Sequence, residues 1–254
     1  MIITVMGTAL VFLSSPAFAN PSCGRTITES MTLTANIGPC AGNGIVIGAG
    51  NLVLNCAGHT ILGSGKDDGI QLLASAAVVT VEGCKVQDFT TGYLVNSHSN
   101  ILYHNSVLGD VYGITLDNVN GSVLAGNSCG PSAVGSPGLT VVICYRLVDG
   151  SSYNRIISNT AKGADYGFYL GQTRQNLLIS NVATNCVVDG FYLAATSLFN
   201  SLGTNTANNN LHYGYYDLSS GGGTLGTRDY YSLNECSGNG IHGSQPLGLG
   251  TPQP

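Results

Sequence analysis

A four-residue unit, Gly followed by an apolar, a variable and another apolar residue, recurs along this chain at nearly constant spacing. The copies are Gly69-Ile70-Gln71-Leu72, Gly92-Tyr93-Leu94-Val95, Gly113-Ile114-Thr115-Leu116, Gly167-Phe168-Tyr169-Leu170 and Gly190-Phe191-Tyr192-Leu193. Gly214-Tyr215-Tyr216-Asp217-Leu218 is a sixth, slightly longer copy. Apart from one interruption, the spacings are 23, 21, 23 and 24 residues. Alternation of period two marks a short strand with one face in and one face out. A helical repeat would need elements of at least about ten residues with a 3.6-residue period.

A second short strand lies between the Gly-led units. It reads Asn100-Ile101-Leu102-Tyr103-His104-Asn105, then Asn154-Arg155-Ile156-Ile157-Ser158-Asn159. Asn176-Leu177-Leu178-Ile179-Ser180-Asn181 and Asn200-Ser201-Leu202-Gly203-Thr204-Asn205 follow. Hairpins would alternate in direction, whereas these units recur in one sense and phase. A coil that closes after about 22 residues and climbs one strand spacing, roughly 4.8 Å, lays its strands in parallel over the previous turn. The expected fold is therefore all-β: a right-handed parallel β-helix of about eight or nine coils, each of roughly 21–26 residues. The recurring Asn105, Asn127, Asn159, Asn181 and Asn205 are expected to stack at equivalent turns. Each amide would donate to one neighbour and accept from the other, forming a structural ladder.

Composition fits a chain that turns often. Gly reaches 36 of 254 residues, and charged residues are only 8%. With 8 Lys plus Arg against 13 Asp plus Glu, the net charge is -5. Such a chain has no basic stripe for nucleic acid and no cationic patch for anionic membranes. Ile2 to Leu13 is apolar, and Ala17-Phe18-Ala19 forms a small-x-small site. Residues 1–19 are thus expected to be a signal peptide, although no positive charge precedes the apolar run. That run is too short for a membrane span, which takes about 20 residues, and the rest of the chain contains no other candidate. Residues 20–243 are expected to form the β-helix and 244–254 a disordered tail. The location is expected to be secreted or periplasmic.

The pattern Gly-Ile-x-Leu followed by Asn-x-Ile-x-x-Asn resembles the parallel β-helix repeats of NosD-like proteins. It equally resembles carbohydrate-binding proteins and sugar hydrolases of the pectate-lyase-like superfamily. The N-terminal stretches Cys23-Gly24-Arg25-Thr26-Ile27-Thr28, Gly38 to Ile45 and Asn51 to Ile61 look like secreted members of that group. The resemblance covers most of Cys23 to Gly243. It implies the fold specifically and the function only broadly, among lyases, epimerases, hydrolases and members with no known activity. NosD is associated with periplasmic copper maturation, but this chain has no Met-rich or His-rich copper motif.

All eight cysteines follow the export signal, which suggests disulfides in an oxidising compartment. Cys23 and Cys40 bracket the first, irregular coil and are expected to bond, capping the N-terminal end. Cys56 and Cys84 align in adjacent coils, within disulfide reach. Cys129 and Cys144 flank an insertion, Gly130 to Thr140, whose base a bond would pin. Cys186 and Cys236 precede Gly190 and Gly240 by four residues each and are left unassigned.

The variable residue of each Gly-led strand points outward. Down the stack it is Gln71, Leu94, Thr115, Tyr169, Tyr192 and Tyr216. The last three suggest a tyrosine column able to contact sugar rings. The same rings would also serve a sheet surface through cross-strand pairing alone, and the sequence leaves both readings open. Phe168, Phe191 and Tyr215 are expected in the core. Asp165-Tyr166-Gly167-Phe168 and Tyr213-Gly214-Tyr215-Tyr216-Asp217 resemble the Tyr-Gly-Phe-Asp-Pro-His motif of alginate epimerases but lack its Pro-His. His98, His104, Asp110, Arg146, Arg155, Lys162, Asp165, Arg174 and Asp189 are the other chemically useful residues, and their spacing gathers them into no single patch. His59 and Lys66-Asp67-Asp68 read as turn residues. No histidine pair or carboxylate set has metal-ligand spacing, so neither metal nor cofactor is expected.

Three functions remain on this reading. The first is a secreted scaffold that binds polysaccharide or a cell-surface glycan without catalysis. The second is a polysaccharide lyase, epimerase or hydrolase, which would need acid, base and cation on one face. The third is a solid-surface binder, which would need a Thr-rich face, whereas the outward column has one Thr.

Overall fold

The computed structural model describes residues 20–132 and 140–251. The chain winds as a right-handed parallel β-helix with three sheets along its length. Among the described residues, the first sheet has 10 strands, from Arg25–Ile27 to His242–Gln245. The second has nine, from Met31–Thr32 to Tyr230–Ser232, and the third has eight, from Thr60–Leu62 to Glu235–Ser237. Each strand pairs in parallel with its counterparts in the coils before and after, as Phe168 does with Tyr145 and Phe191.

The strands are mostly three residues long, because only the middle residue needs to point inward. Leu54, Val81, Leu102, Leu124, Ile156, Leu178 and Leu202 form the inward column of the second sheet and are buried. Ile61, Val86, Val107, Cys129, Ala161, Ala183, Ala207 and Cys236 form that of the third. The first sheet contributes Ile45, Ile70, Tyr93, Ile114, Tyr145, Phe168, Phe191 and Tyr215. The third sheet narrows to alanine where the first widens to aromatics, so the core keeps a constant cross-section at close packing.

The leading Gly of each unit is dictated by this closure. A Cβ on Gly69 would lie 2.2 Å from the Val86 side chain and 2.7 Å from the Gly92 carbonyl oxygen. One coil breaks the rule and carries Cys144 where the others carry Gly, directly above Gly113. The Cys144 side chain reaches back to Cys129, in the third-sheet strand of the preceding coil, and the two form a disulfide.

Cys23–Cys40 and Cys56–Cys84 are also bonded, with Cα separations of 5.4 and 4.7 Å, at the N-terminal end. Cys186 and Cys236 are buried and not disulfide-bonded. They do not occupy equivalent positions, as their spacing to Gly190 and Gly240 suggested. The last coil opens at Gly243, stacked over Gly214, so Cys236 sits in the third-sheet core column and Cys186 at the following corner.

Asparagines line the corners. Between the second and third sheets, Asn105, Asn127, Asn159, Asn181, Asn205 and Asn234 stack, each Nδ2 donating to the next Oδ1 at 2.9–3.1 Å. Each Oδ1 also accepts a backbone N–H from the preceding coil, as Asn159 does from Asn127. A second ladder, Asn154, Asn176 and Asn200, ends on Asp229. Burial and the Asp217 charge push the Asp229 carboxyl up to about 6.

The sequence-based boundaries need one correction. Residues 244–251 are folded against the solenoid rather than forming a loose tail. Leu249 is buried, and Thr251 exchanges backbone hydrogen bonds with Asn234 and Cys236 over the third-sheet edge. A short apolar residue reaching the open core is enough to fix this segment, since an uncovered last coil exposes apolar side chains and strand edge. The expected signal peptide, most of the insertion after Gly130 and residues 252–254 lie outside the described residues.

Candidate functional site

The outward face of the first sheet carries two adjacent columns. One runs Val46, Gln71, Leu94, Thr115, Arg146, Tyr169, Tyr192, Tyr216 and Gln245. The other runs Asp68, Thr91, Tyr112, Ile143 and Tyr166, then Asp189, Tyr213 and His242. Five half-buried tyrosines, Tyr166, Tyr169, Tyr192, Tyr213 and Tyr216, therefore share one patch.

Their rings pack on each other. Tyr169 and Tyr192 stack at 5.1 Å and 6°. Tyr166 stands edge-on to both, at 6.1 and 5.3 Å. Tyr216 tilts 44° from Tyr192 and stacks on Tyr213 at 4.9 Å. In-register stacking covers the faces of the inner rings, so the strip presents ring edges and phenolic hydroxyls to solvent, with bare faces confined to its ends. That differs from a row of open faces, and it follows from the coil rise, which matches ring-stacking distance.

Asp189 sits in the second column between Tyr166 and Tyr213. Its Oδ1 accepts the Tyr213 N–H at 3.0 Å. Burial raises its carboxyl, while the Tyr213 N–H and His212 pull it down. Burial, with Asp189 nearby, also pushes the Tyr166 and Tyr192 hydroxyls upward.

At the N-terminal end of the strip the column changes to Arg146. Its guanidinium lies over the Tyr112 ring, 5.4 Å from the centroid. Thr115, the register partner of Arg146 in the preceding coil, is buried despite its outward position. Beside it opens a cleft of about 380 Å³, walled by Tyr112, Ile143, Arg146, Asp149, Tyr169 and Thr196. The Asp117 and Asp149 carboxyls lie near each other beside Arg146. Burial and the Asp149 charge raise Asp117, and Arg146 opposes the rise. A second cleft, about 400 Å³, lies on the second sheet between Ser30, Met31, Val53 and Glu82; its lining has no aromatic ring.

Of the chemically useful residues named from sequence, Arg146, Asp165 and Asp189 come to this face. The others scatter. His98 accepts the Asn120 N–H and His104 lies edge-on to Tyr103, both at turns. Arg155 and Lys162 project from the second and third sheets, and Asp110 is buried at a corner. Asp217 turns inward and accepts hydrogen bonds from Ser219 and Tyr231. Sequence reading missed the place of Arg146 in the column because Cys144 replaces the marker Gly. It also missed Tyr166 and Tyr213, although Tyr-Gly at 112, 166 and 213 was a usable signal. Among the described residues, no three His, Cys, Asp or Glu side chains gather where a metal ion could be held. No helix among them is long and apolar enough to cross a membrane.

This geometry defines a right-handed parallel β-helix repeat protein with one aromatic outer face. No family model and no curated protein matches the chain. Among solved structures it is similar to a variant of the periplasmic alginate epimerase AlgG, at 18% identity and a TM-score of 0.55, over 80% of this chain and 57% of that one. It is also similar to tailspike protein 2 of the Escherichia coli bacteriophage CAB120, at 13% identity and a TM-score of 0.58, over 84% and 31%. The chain thus spans less than two thirds of either protein. At these identities the likeness is one of fold.

Proposed function

We propose that the outer face of the first sheet, from Arg146 to His242, binds a polysaccharide. The observation that carries this reading is the patch of five tyrosines with Asp189 between them. Sugars offer hydroxyls at their rims and C–H groups on their faces; the row of phenolic hydroxyls and ring edges meets the former, and the bare ring faces at the strip's ends meet the latter. Buried Asp189 holds the Tyr213 strand in place through the Tyr213 N–H, and the phenolic hydroxyls supply donors and acceptors for sugar hydroxyls. Three disulfides support a site of action outside the reducing cytosol, in the periplasm or beyond the cell. The test is capture by immobilised polysaccharides. Tyr192→Ala and Tyr216→Ala are expected to weaken capture about tenfold or more, as loss of a buried aromatic contact does. Capture that survives alanine at Tyr169, Tyr192 and Tyr216 together would count against the patch.

The neighbouring Asp117 and Asp149 carboxyls beside Arg146 favour a second reading, a polysaccharide-processing enzyme. Two carboxyls in different surroundings next to a cation are suited to acid–base work on a sugar. Incubating the captured polysaccharide with the protein and with Asp149→Asn tests it. Absence of any shortened or chemically altered product removes it.

A further inference from the structure

The cleft at the N-terminal end of the strip differs from the strip itself. Tyr169 uses the face turned toward the following coil to stack on Tyr192. Its other face turns toward the coil of Arg146, its register partner. Arg146 does not fill that space, because its guanidinium lies over Tyr112. A guanidinium held by its face keeps its N–H donors in the ring plane for other partners. Asp149, across the cleft, is exposed and contributes acceptor oxygens. Donors, acceptors and a bare aromatic face therefore meet in one concavity of a size usual for small-ligand sites, ~300–1,000 Å³.

We propose that this cleft is a subsite for one uncharged pyranose unit of the bound polysaccharide. The Tyr169 face carries the C–H face of the sugar. Arg146 donates to, and Asp149 accepts from, neighbouring hydroxyls of the same ring. Arg146 is balanced by the Asp117–Asp149 pair, so a carboxylated or sulfated unit would gain attraction from the one and meet repulsion from the other. Tyr112 is a positioning residue that holds the guanidinium in place. The inference rests on the carbohydrate reading of the strip and adds to it the sugar class and the end at which recognition is most specific.

The test is calorimetric titration of the full chain with neutral gluco-, galacto- and manno-oligosaccharides and with oligouronates. Thermal melts of every variant establish that it folds. A neutral oligosaccharide is expected to bind. Arg146→Lys, which keeps the charge but loses the fork, and Tyr169→Ala are each expected to weaken it about tenfold. Tyr103→Ser, on the second sheet, is expected to leave binding unchanged. If Tyr192→Ala abolishes binding while Arg146→Lys and Tyr169→Ala do nothing, the subsite is wrong and the strip reading stands. If oligouronates bind through Arg146 and neutral sugars do not, the uncharged assignment is overturned. If no probe binds at all, the carbohydrate reading fails and the subsite with it.

Discussion

The two faces of the first sheet place aromatic residues in the same register, one position apart. Inside, Tyr145, Phe168, Phe191 and Tyr215 stack at 4.6–4.9 Å, nearly coplanar, and all are fully buried. The row is closed at both ends by hydrogen bonds, Tyr145 to the Asn127 carbonyl and Tyr215 to the Asn205 carbonyl. Outside, Tyr169 and Tyr192 stack equally well, but the row tilts at Tyr216 and stops at Arg146. The solenoid stacks whatever recurs at its period. Only the inner row is required to close the core, so the two rows can be told apart by what each does when broken.

Breaking the inner row should have the largest effect. Phe191→Ala removes a fully buried ring with partners on both sides and opposite a small alanine column, which cannot collapse to fill the space. A loss of about 3–5 kcal/mol is expected by urea denaturation. A loss below about 1 kcal/mol would mean that the inner row is no more essential than the outer.

The Asn ladder is the polar counterpart of the inner row. Asn159 accepts from Asn127 N and Nδ2 and donates to the Leu124 carbonyl and Asn181. Asn159→Ala leaves several buried groups unpaired at once, and a loss of about 3 kcal/mol is expected. Asn159→Asp should recover part of it, because Oδ1 remains as an acceptor.

A gain is expected at Asp110. A Cβ at Gly92 would lie 3.3 Å from Asp110 Oδ2, and at Gly190 and Gly214 it would lie 2.8 and 2.9 Å from Nδ2 of Asn210 and Asn239. Asp110 thus holds an acceptor where the later coils hold a donor, and its Oδ2 is buried without a partner. Burial pushes its carboxyl well above the usual range, against the Phe89 N–H that bonds Oδ1. The folded chain keeps this proton at a pH where the unfolded chain, with a carboxyl value of about 4, has lost it. Its contribution to stability is therefore full below the unfolded value and falls as pH rises toward the folded one. Asp110→Asn should stabilise by about 1 kcal/mol at neutral pH and flatten the pH dependence of the melting temperature. An unchanged slope above about pH 4, where a raised carboxyl responds, would show that Asp110 is ionised in the folded chain.

These cases also mark what the sequence could disclose. The repeat was legible because Gly and Asn are demanded at fixed positions in each coil, Gly69 by side-chain closure and Asn159 by four hydrogen bonds. The coil of Tyr145 was hidden because a disulfide replaced the Gly contact, and with it went the outward place of Arg146. Asp117 and Asp149 flank the insertion, so no local spacing joins them, and only the closing of the coil does. The folded C-terminal segment that ends at Thr251 was unreadable because a cap built on one buried leucine, Leu249, has no period.

The smallest expected effect on folding is the most informative about use. Tyr192 lies between Tyr169 and Tyr216 with its ring half-buried, and it touches Tyr166 edge-on. Cross-strand aromatic pairs on a solvated face are worth about 0.2–1 kcal/mol each, so Tyr192→Ala should cost about 1 kcal/mol, well below Phe191→Ala on the other side of the same strand. If polysaccharide capture falls about tenfold while stability barely moves, the outer row is kept for its ligand. If instead Tyr192→Ala destabilises as much as Phe191→Ala, the two rows do the same work, the stacking itself accounts for the tyrosines, and the case for a glycan surface loses its main support.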